Sequence, residues 1–198
     1  MPNANTPFGL APVEYLSGAP WNGQVRRYFI PQADANVYAI GDPVTIAGSS
    51  DANGVASVVL MTPGAGMLGV IVGMGGPSYG GGNFDPTNLS TTVIPATKTR
   101  GYYVSVVDDP NVVFEVQEVG TGTQLTAAEV GLNCNLVAGT NSGYMSGWQL
   151  TNTTEATTAT LDVKLLGLSQ KPGNAFGAYA KWLVLMNNHV YRGGVAGI

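Results

Sequence analysis

The chain has one histidine, His189, and one cysteine, Cys134, and that scarcity limits its chemistry before any element is placed. A zinc or copper site needs several nitrogen or sulfur ligands converging, so this class of metal centre is not expected. A serine or cysteine nucleophile would need His189 as its base and a carboxylate to orient the ring. No Gly-x-Ser-x-Gly elbow marks such a nucleophile. His189 stands at the end of an apolar run, in Asn187-Asn188-His189, and reads as a hydrogen-bonded structural residue; Cys134 reads as a small buried hydrophobe. Glu115 and Glu118 are three apart, which on a strand sends them to opposite faces rather than into one acid–base pair. Asp108, Asp109 and Asn111, and Asp51 with Asn53, could offer oxygen ligands to calcium. Neither run has the spaced ligand ladder of a helix–loop–helix site, and turn chemistry accounts for both. The glycine clusters at 73–76 and 80–82 lack the Gly-Lys-Ser/Thr ending of a phosphate loop. The expectation is therefore a protein without catalytic residues, cofactor, metal or small-molecule substrate.

Composition points the same way. Charged residues make up only 10% of the 198 and hydrophobic ones 44%, with a mean hydropathy of +0.14. Globular chains carry about a quarter charged residues. A chain with so few is expected to cover weakly polar faces by assembling with itself or with others. The net charge of −4 and a pI near 4.7 leave no basic stripe for nucleic acid; Arg26-Arg27 is the one basic pair. No apolar run approaches the roughly 20 residues of a membrane helix, and the opening residues lack the basic start and apolar stretch of a secretory signal.

The elements that must position these residues read as strands and turns. Residues 1–23 hold Pro2, Pro7, Pro12 and Pro20 interleaved with Phe8, Leu10, Val13, Tyr15, Leu16 and Trp21. Proline fixes φ and restricts its predecessor, so an extended, irregular arm is expected, lying either on its own domain or on a neighbour. Residues 24–192 form the β-rich domain, with strands predicted over 24–30, 37–40, 44–47, 55–61 and 67–74. Further strands are predicted over 133–138, 144–150, 161–168 and 182–186. They are punctuated by Gly41-Asp42-Pro43, by residues 48–54 and by Thr62-Pro63-Gly64-Ala65-Gly66. Gly75 to Pro86 reads as a flexible surface loop. The clearest hairpin is 102–107 with 112–119, joined by Asp108-Asp109-Pro110-Asn111. Val112, Phe114 and Val116 alternate there with Glu115 and Gln117, the mark of a half-buried antiparallel strand. Thr126 and Glu129 predict a capping box on one short helix that Gly131 ends. Residues 193–198 are expected to form a flexible C-terminal tail. The fold class is all-β: an antiparallel β-barrel or jelly-roll-like sandwich with an extended N-terminal arm and at most one short helix.

Several segments, in this order along nearly the whole chain, resemble a group of tailed-bacteriophage virion proteins of the capsid decoration, or cement, type. They are Asn5-Thr6-Pro7-Phe8-Gly9-Leu10 with Pro12-Val13 and Tyr15-Leu16-Ser17-Gly18, then Gly41-Asp42-Pro43-Val44. Asp108-Asp109-Pro110 follows with Val113-Phe114-Glu115, and Ala180-Lys181-Trp182-Leu183-Val184 runs to Asn187-Asn188-His189. The resemblance implies a β-barrel or jelly-roll-like domain, often trimeric, encoded with the major capsid protein. Its place would be the outer surface of the shell where capsomers meet, after synthesis in the bacterial cytoplasm.

On this reading the partners are the major capsid protein and further copies of the chain, without nucleic acid or membrane. Phe8, Leu10, Tyr15 and Trp21 would anchor the arm, by strand addition or apolar overlay, and Trp182 and Tyr191 would serve packing or subunit contacts. Removing residues 1–20 is then expected to leave a folded domain that no longer binds heads. The competing reading is a head-fibre or tail-associated β module for a host receptor or glycan. Its support is the aromatic side chains and the glycine-rich stretch around Tyr79 and Phe84.

Overall fold

A computed structural model describes residues 3–75, 92–194 and 196–197. The glycine-rich stretch from residue 76 onward, with Tyr79 and Phe84, lies outside the described residues, as do Val195 and Ile198. The chain runs through β1 (Leu10–Tyr15), β2 (Arg26–Ile30), β3 (Tyr38–Ala39), β4 (Pro43–Ser50) and β5 (Ala56–Leu60). It continues through β6 (Gly69–Met74), β7 (Val93–Ile94), β8 (Tyr102–Val107), β9 (Val112–Gln117) and a 3₁₀ turn at Ala127–Glu129. It ends with β10 (Asn133–Cys134), β11 (Leu136–Val137), β12 (Gln149–Leu150), β13 (Val163–Leu168) and β14 (Lys181–Met186). The fold is all-β, as the composition and alternation require.

Two units pack together. Strands β2-β5-β4-β6-β8 close a barrel, and β1-β9-β14-β13-β10 form an open sheet. Alternation divides β6 and β8 between two cores. Tyr28, Ile30, Val44, Val58, Ile71, Val104 and Val106 fill the barrel with Leu68, and Tyr38 and Ile94 of the β3–β7 ribbon pack into the same cluster. Val70 and Val107 instead join Met61 and Met67 in the sheet's core, against Leu10, Phe114, Leu165, Trp182 and Val184. One continuous apolar layer therefore welds barrel to sheet.

The 102–119 hairpin is a correction. Strand β8 lies between β2 and β6 in the barrel, and β9 lies between β1 and β14 in the sheet. Both edges of both strands are taken, so Asp108–Asn111 is a crossover between the two units. The half-buried reading of β9 is also corrected, because all six of its residues are buried. The Gln117 amide donates to Asn5 Oδ1 at 3.0 Å and its Oε1 accepts from the Thr6 N–H at 2.9 Å. Glu115 accepts from Ser169 Oγ and from Lys171 Nζ, each at 2.6 Å. The polar face is covered by the opening segment and by the connection after β13, which hold it through matched hydrogen bonds.

The N-terminal stretch is extended, but it is not irregular throughout. Strand β1 pairs antiparallel with β9 around a shift between Pro12 and Glu14. The chain then turns back: the Tyr15 N–H donates to Ala19 O at 2.8 Å and the Trp21 N–H to Val13 O at 3.1 Å. That return, the proline and the bulge cover the outer edge of β1. Gly9 (φ +70) and Gly41 (φ +95) let the arm cross the barrel in close contact. A Cβ on either would lie 2.3 Å from a carbonyl oxygen of the other segment, Gly41 O or Phe8 O. The Leu10 N–H donates to Gly41 O at 3.0 Å across this crossing. Residues 10–15 thus contribute an edge strand and a buried core leucine, both of which removal of residues 1–20 would take from the domain.

Smaller differences follow the same logic. Strand β4 runs on through the Gly48–Ser50 segment expected to turn, and only Gln149–Leu150 of the 144–150 stretch is strand, leaving Tyr144 71% exposed. The capping box is present, with Thr126 Oγ1 accepting from the Ala128 N–H and Glu129 accepting from the Thr126 N–H. In the tail expected to be loose, Ala196 O accepts from Lys164 Nζ at 2.8 Å and the Gly197 N–H donates to Thr157 O at 3.0 Å.

Candidate functional site

The Asp108–Asn111 crossover gathers four of the side chains singled out for chemistry, Asp108, Asp109, Asn111 and His189. Asp109 Oδ1 accepts from the Asn111 N–H at 2.9 Å and from the Asn111 amide at 3.0 Å, an Asx turn that bends the chain out of the barrel. Asp108 Oδ2 accepts from the Tyr28 hydroxyl at 2.7 Å and lies 3.2 Å from Arg26 Nη1. Burial, followed by that hydrogen bond to the carboxylate, pushes the Tyr28 phenol well above its ordinary range, while Asp108 raises the Arg26 guanidinium. The other candidate oxygen cluster is likewise a turn: Asp51 Oδ1 accepts from the Asn53 and Val55 N–H groups, and Oδ2 from the Tyr103 hydroxyl. No group of three or more His, Cys, Asp or Glu side chains is arranged to hold a metal among the described residues.

His189 locks the crossover to the C-terminal segment. Its Nδ1 accepts from the Tyr191 N–H at 3.2 Å, so the proton sits on Nε2, which donates to Asp108 O at 3.1 Å. Burial lowers the pKa of the ring, favouring this neutral tautomer. His189 O accepts from the Arg192 and Gly193 N–H groups at 3.1 and 2.7 Å, and this tight turn holds out Tyr191, 63% exposed. Cys134 is buried in the sheet core, where loss of solvation pushes its thiol up to about 12.

Around this crossover lie three shallow hollows that share walls. One, of about 370 Å³, is lined by Arg26, Asp108, Asp109, His189, Tyr191 and Arg192 together with Gln24 and Pro110. A second, of about 500 Å³, shares Asp109 and adds Tyr15 and Leu16. The third, of about 520 Å³, shares Arg26 and Tyr191 and reaches Arg27 and the Asn53–Ala56 turn. No family model, curated protein or solved structure matches this chain. The geometry stands on its own.

Of the residues singled out in the sequence, Tyr191 and Tyr15 reach this surface. The Tyr15 hydroxyl donates to Asn22 Oδ1 at 2.8 Å. Trp21 is half-buried against the sheet core, and its indole nitrogen is buried without a hydrogen-bond partner. Phe8 lies elsewhere, on the sheet, with Lys181 Nζ 5.8 Å from its ring centre. Leu10 and Trp182 are fully buried in the chain's own core, so their part is packing rather than contact with a second molecule. Arg26 and Arg192 were missed as site residues. The Arg26-Arg27 doublet beside Tyr28 was a visible signal, but nothing in the spacing says that residues 26, 108 and 191 meet.

Proposed function

We propose that this chain is a structural, non-catalytic virion protein: a decoration or cement protein bound, as a homotrimer, to the outer surface of a tailed-phage capsid. It would contact the major capsid protein where capsomers meet and hold the shell together. The observation that carries the structural part is how the reactive side chains are used. His189 struts the crossover, Cys134 is core, and Glu118 is buried, accepting from the Trp182 indole at 2.9 Å and the Leu125 N–H at 2.8 Å. Asp162 accepts from the Gly64 and Leu136 N–H groups at 2.8 and 2.9 Å. Such groups, committed to holding a scaffold, are poorly placed to turn over a substrate. The capsid part is supported by the order of the resembling segments and by the low charge of the chain.

Native mass by light scattering, with and without undecorated heads from a phage encoding the chain, tests the proposal. A trimer that co-migrates with heads and raises their resistance to heat is expected. A monomer indifferent to heads would overturn the reading. The second reading, a receptor- or glycan-binding module of a head fibre or tail, has Tyr191 on its side, an exposed ring between two hollows. Specific glycan binding by the isolated protein, without head binding, would put it first.

A further inference from the structure

The surface around the crossover differs from the rest of this acidic molecule. Arg26, Arg27 and Arg192 are three of the chain's eight basic residues, and all line the adjoining hollows. The other described cations serve the fold or lie elsewhere; Lys98, for example, is buried against Asp34, and Lys171 pairs with Glu115. Of the two acids of the crossover, the Asp108 side chain is 11% exposed and bound to Tyr28 and Arg26, and Asp109, on the hollows' wall, gives one oxygen to its Asx turn, whereas the Arg26 side chain is 68% exposed. Solvent therefore meets guanidinium groups on a chain of net charge −4. Exposed apolar side chains join them: Tyr191 and Leu16 line the adjoining hollows, and Val25 and Val190, next in the chain to Arg26 and Tyr191, are open to solvent.

We infer that this face docks an extended, acidic segment of a partner protein. Its carboxylates would lie against Arg26 and Arg192, and its apolar side chains against Tyr191, Val190, Val25 and Leu16. Charge complementarity selects the occupant. Guanidinium forks match carboxylates in two-point contact, and Tyr and Arg are, with Trp, the residues enriched where interfaces hold their energy. A sugar site would instead set several carboxylates free to accept hydroxyl protons, whereas here Asp108 is engaged by Tyr28 and Arg26 and one oxygen of Asp109 by the Asx turn. Strand addition is not the mode, because the edge of β1 is already covered. The inference rests on the preceding reading only for the partner's identity as a capsid protein.

Two measurements separate the two. In the first, the isotope-labelled protein is titrated with a synthetic peptide alternating Asp and Leu, and with its Lys-for-Asp counterpart. Backbone amide shifts centred on Arg26, Val190, Tyr191 and Arg192 are expected with the acidic peptide alone, fading as salt screens the charges. They should be lost in Arg192→Glu and in Tyr191→Ala, two exposed positions whose folding is checked by near-ultraviolet circular dichroism. Equal shifts with both peptides, or shifts elsewhere, would overturn the inference without reference to any head. In the second, wild type and variants are sedimented with undecorated heads. Retained wild type with Arg192→Glu and Tyr191→Ala weakened about tenfold or more supports both readings. Equal retention of all three would leave the cement reading standing and sink this face. If nothing sediments, the cement reading fails and the peptide titration decides the inference alone. Glycan binding lost in Tyr191→Ala but kept in Arg192→Glu would assign the face to a sugar and overturn it.

Discussion

Glu118 shows how a charged residue can serve a core without a cation. Its two oxygens accept from the Trp182 indole, the Leu125 N–H and the Asn152 amide, the last at 3.3 Å. Burial, set against these bonds, still leaves its pKa raised. Every partner is a donor, so Glu118→Gln turns an NH₂ group toward a donor whichever way the amide is set. Leaving a buried donor unpaired costs about 1–3 kcal/mol. Urea unfolding should find Glu118→Gln destabilised by roughly that amount, and Glu118→Ala by more, since it strands the Trp182 and Leu125 donors together. His189 makes a pH-dependent prediction. Its folded pKa lies below the ordinary 6.5, so as pH falls through 6.5 the unfolded chain takes up the proton first and stability drops. The drop continues until the folded ring titrates. In His189→Gln that slope should vanish, and the stability gap between wild type and variant should narrow from about pH 7.5 to about pH 5.5. A gap that stays constant over this range would mean that the ring is not held neutral.

At the scale of elements, the crossing of β1 over the barrel depends on two glycines. Gly41→Ala puts a Cβ 2.3 Å from Phe8 O at a φ of +95, a clash with backbone combined with a conformation that L side chains rarely adopt. A loss of about 1–3 kcal/mol is expected, with amide exchange rising first in Leu10–Tyr15 and in the facing residues of β9. Gly48→Ala, also at positive φ but with open space around its Cβ, should cost less and leave β1 protected. The contrast explains what was legible in the sequence. Turns were readable because Gly, Pro and Asx chemistry is local: the capping box at Thr126–Glu129 and the bend at Gly41-Asp42-Pro43 follow from a few adjacent residues. Pairing was not, because the alternation of β9 is the same text whether its neighbour is β8 or β14. Burial of Glu115 and Gln117 depends on residues more than 50 positions away, Lys171 and Asn5 among them. The same distance hid the candidate site, since Arg26, Asp108 and Tyr191 come from the barrel, the crossover and the segment after β14.

For the molecule as a whole, the question is whether barrel and sheet behave as one body. Besides the shared apolar layer, the Asp162 carboxylate spans them, with one oxygen on the Gly64 N–H of the β5–β6 loop and the other on the Leu136 N–H of β11. Met67 and the C-terminal segment add two backbone bonds, Met67 N–H to Asn188 O at 2.8 Å and Val190 N–H to Met67 O at 3.0 Å. Of the chain's three tryptophans, Trp148 and Trp182 belong to the sheet's core and Trp21 packs against it, while Tyr28 and Tyr38 belong to the barrel's. Tryptophan fluorescence therefore reports the sheet, and amide exchange at Val58 and Val104 reports the barrel. In wild type the two probes should give one transition and one free energy, as a two-state body requires. Asp162→Ala leaves two N–H groups without their acceptor on opposite sides of the junction, costing about 1–3 kcal/mol for each that stays buried. The variant should then show the two probes parting, because the interface between units loses more than either core does. Probes that stay together at a lowered midpoint would mean that the shared apolar layer alone makes the molecule cooperative. A load carried across a protein that unfolds as one unit is borne by both cores together, which is what the proposed cement role would ask of it.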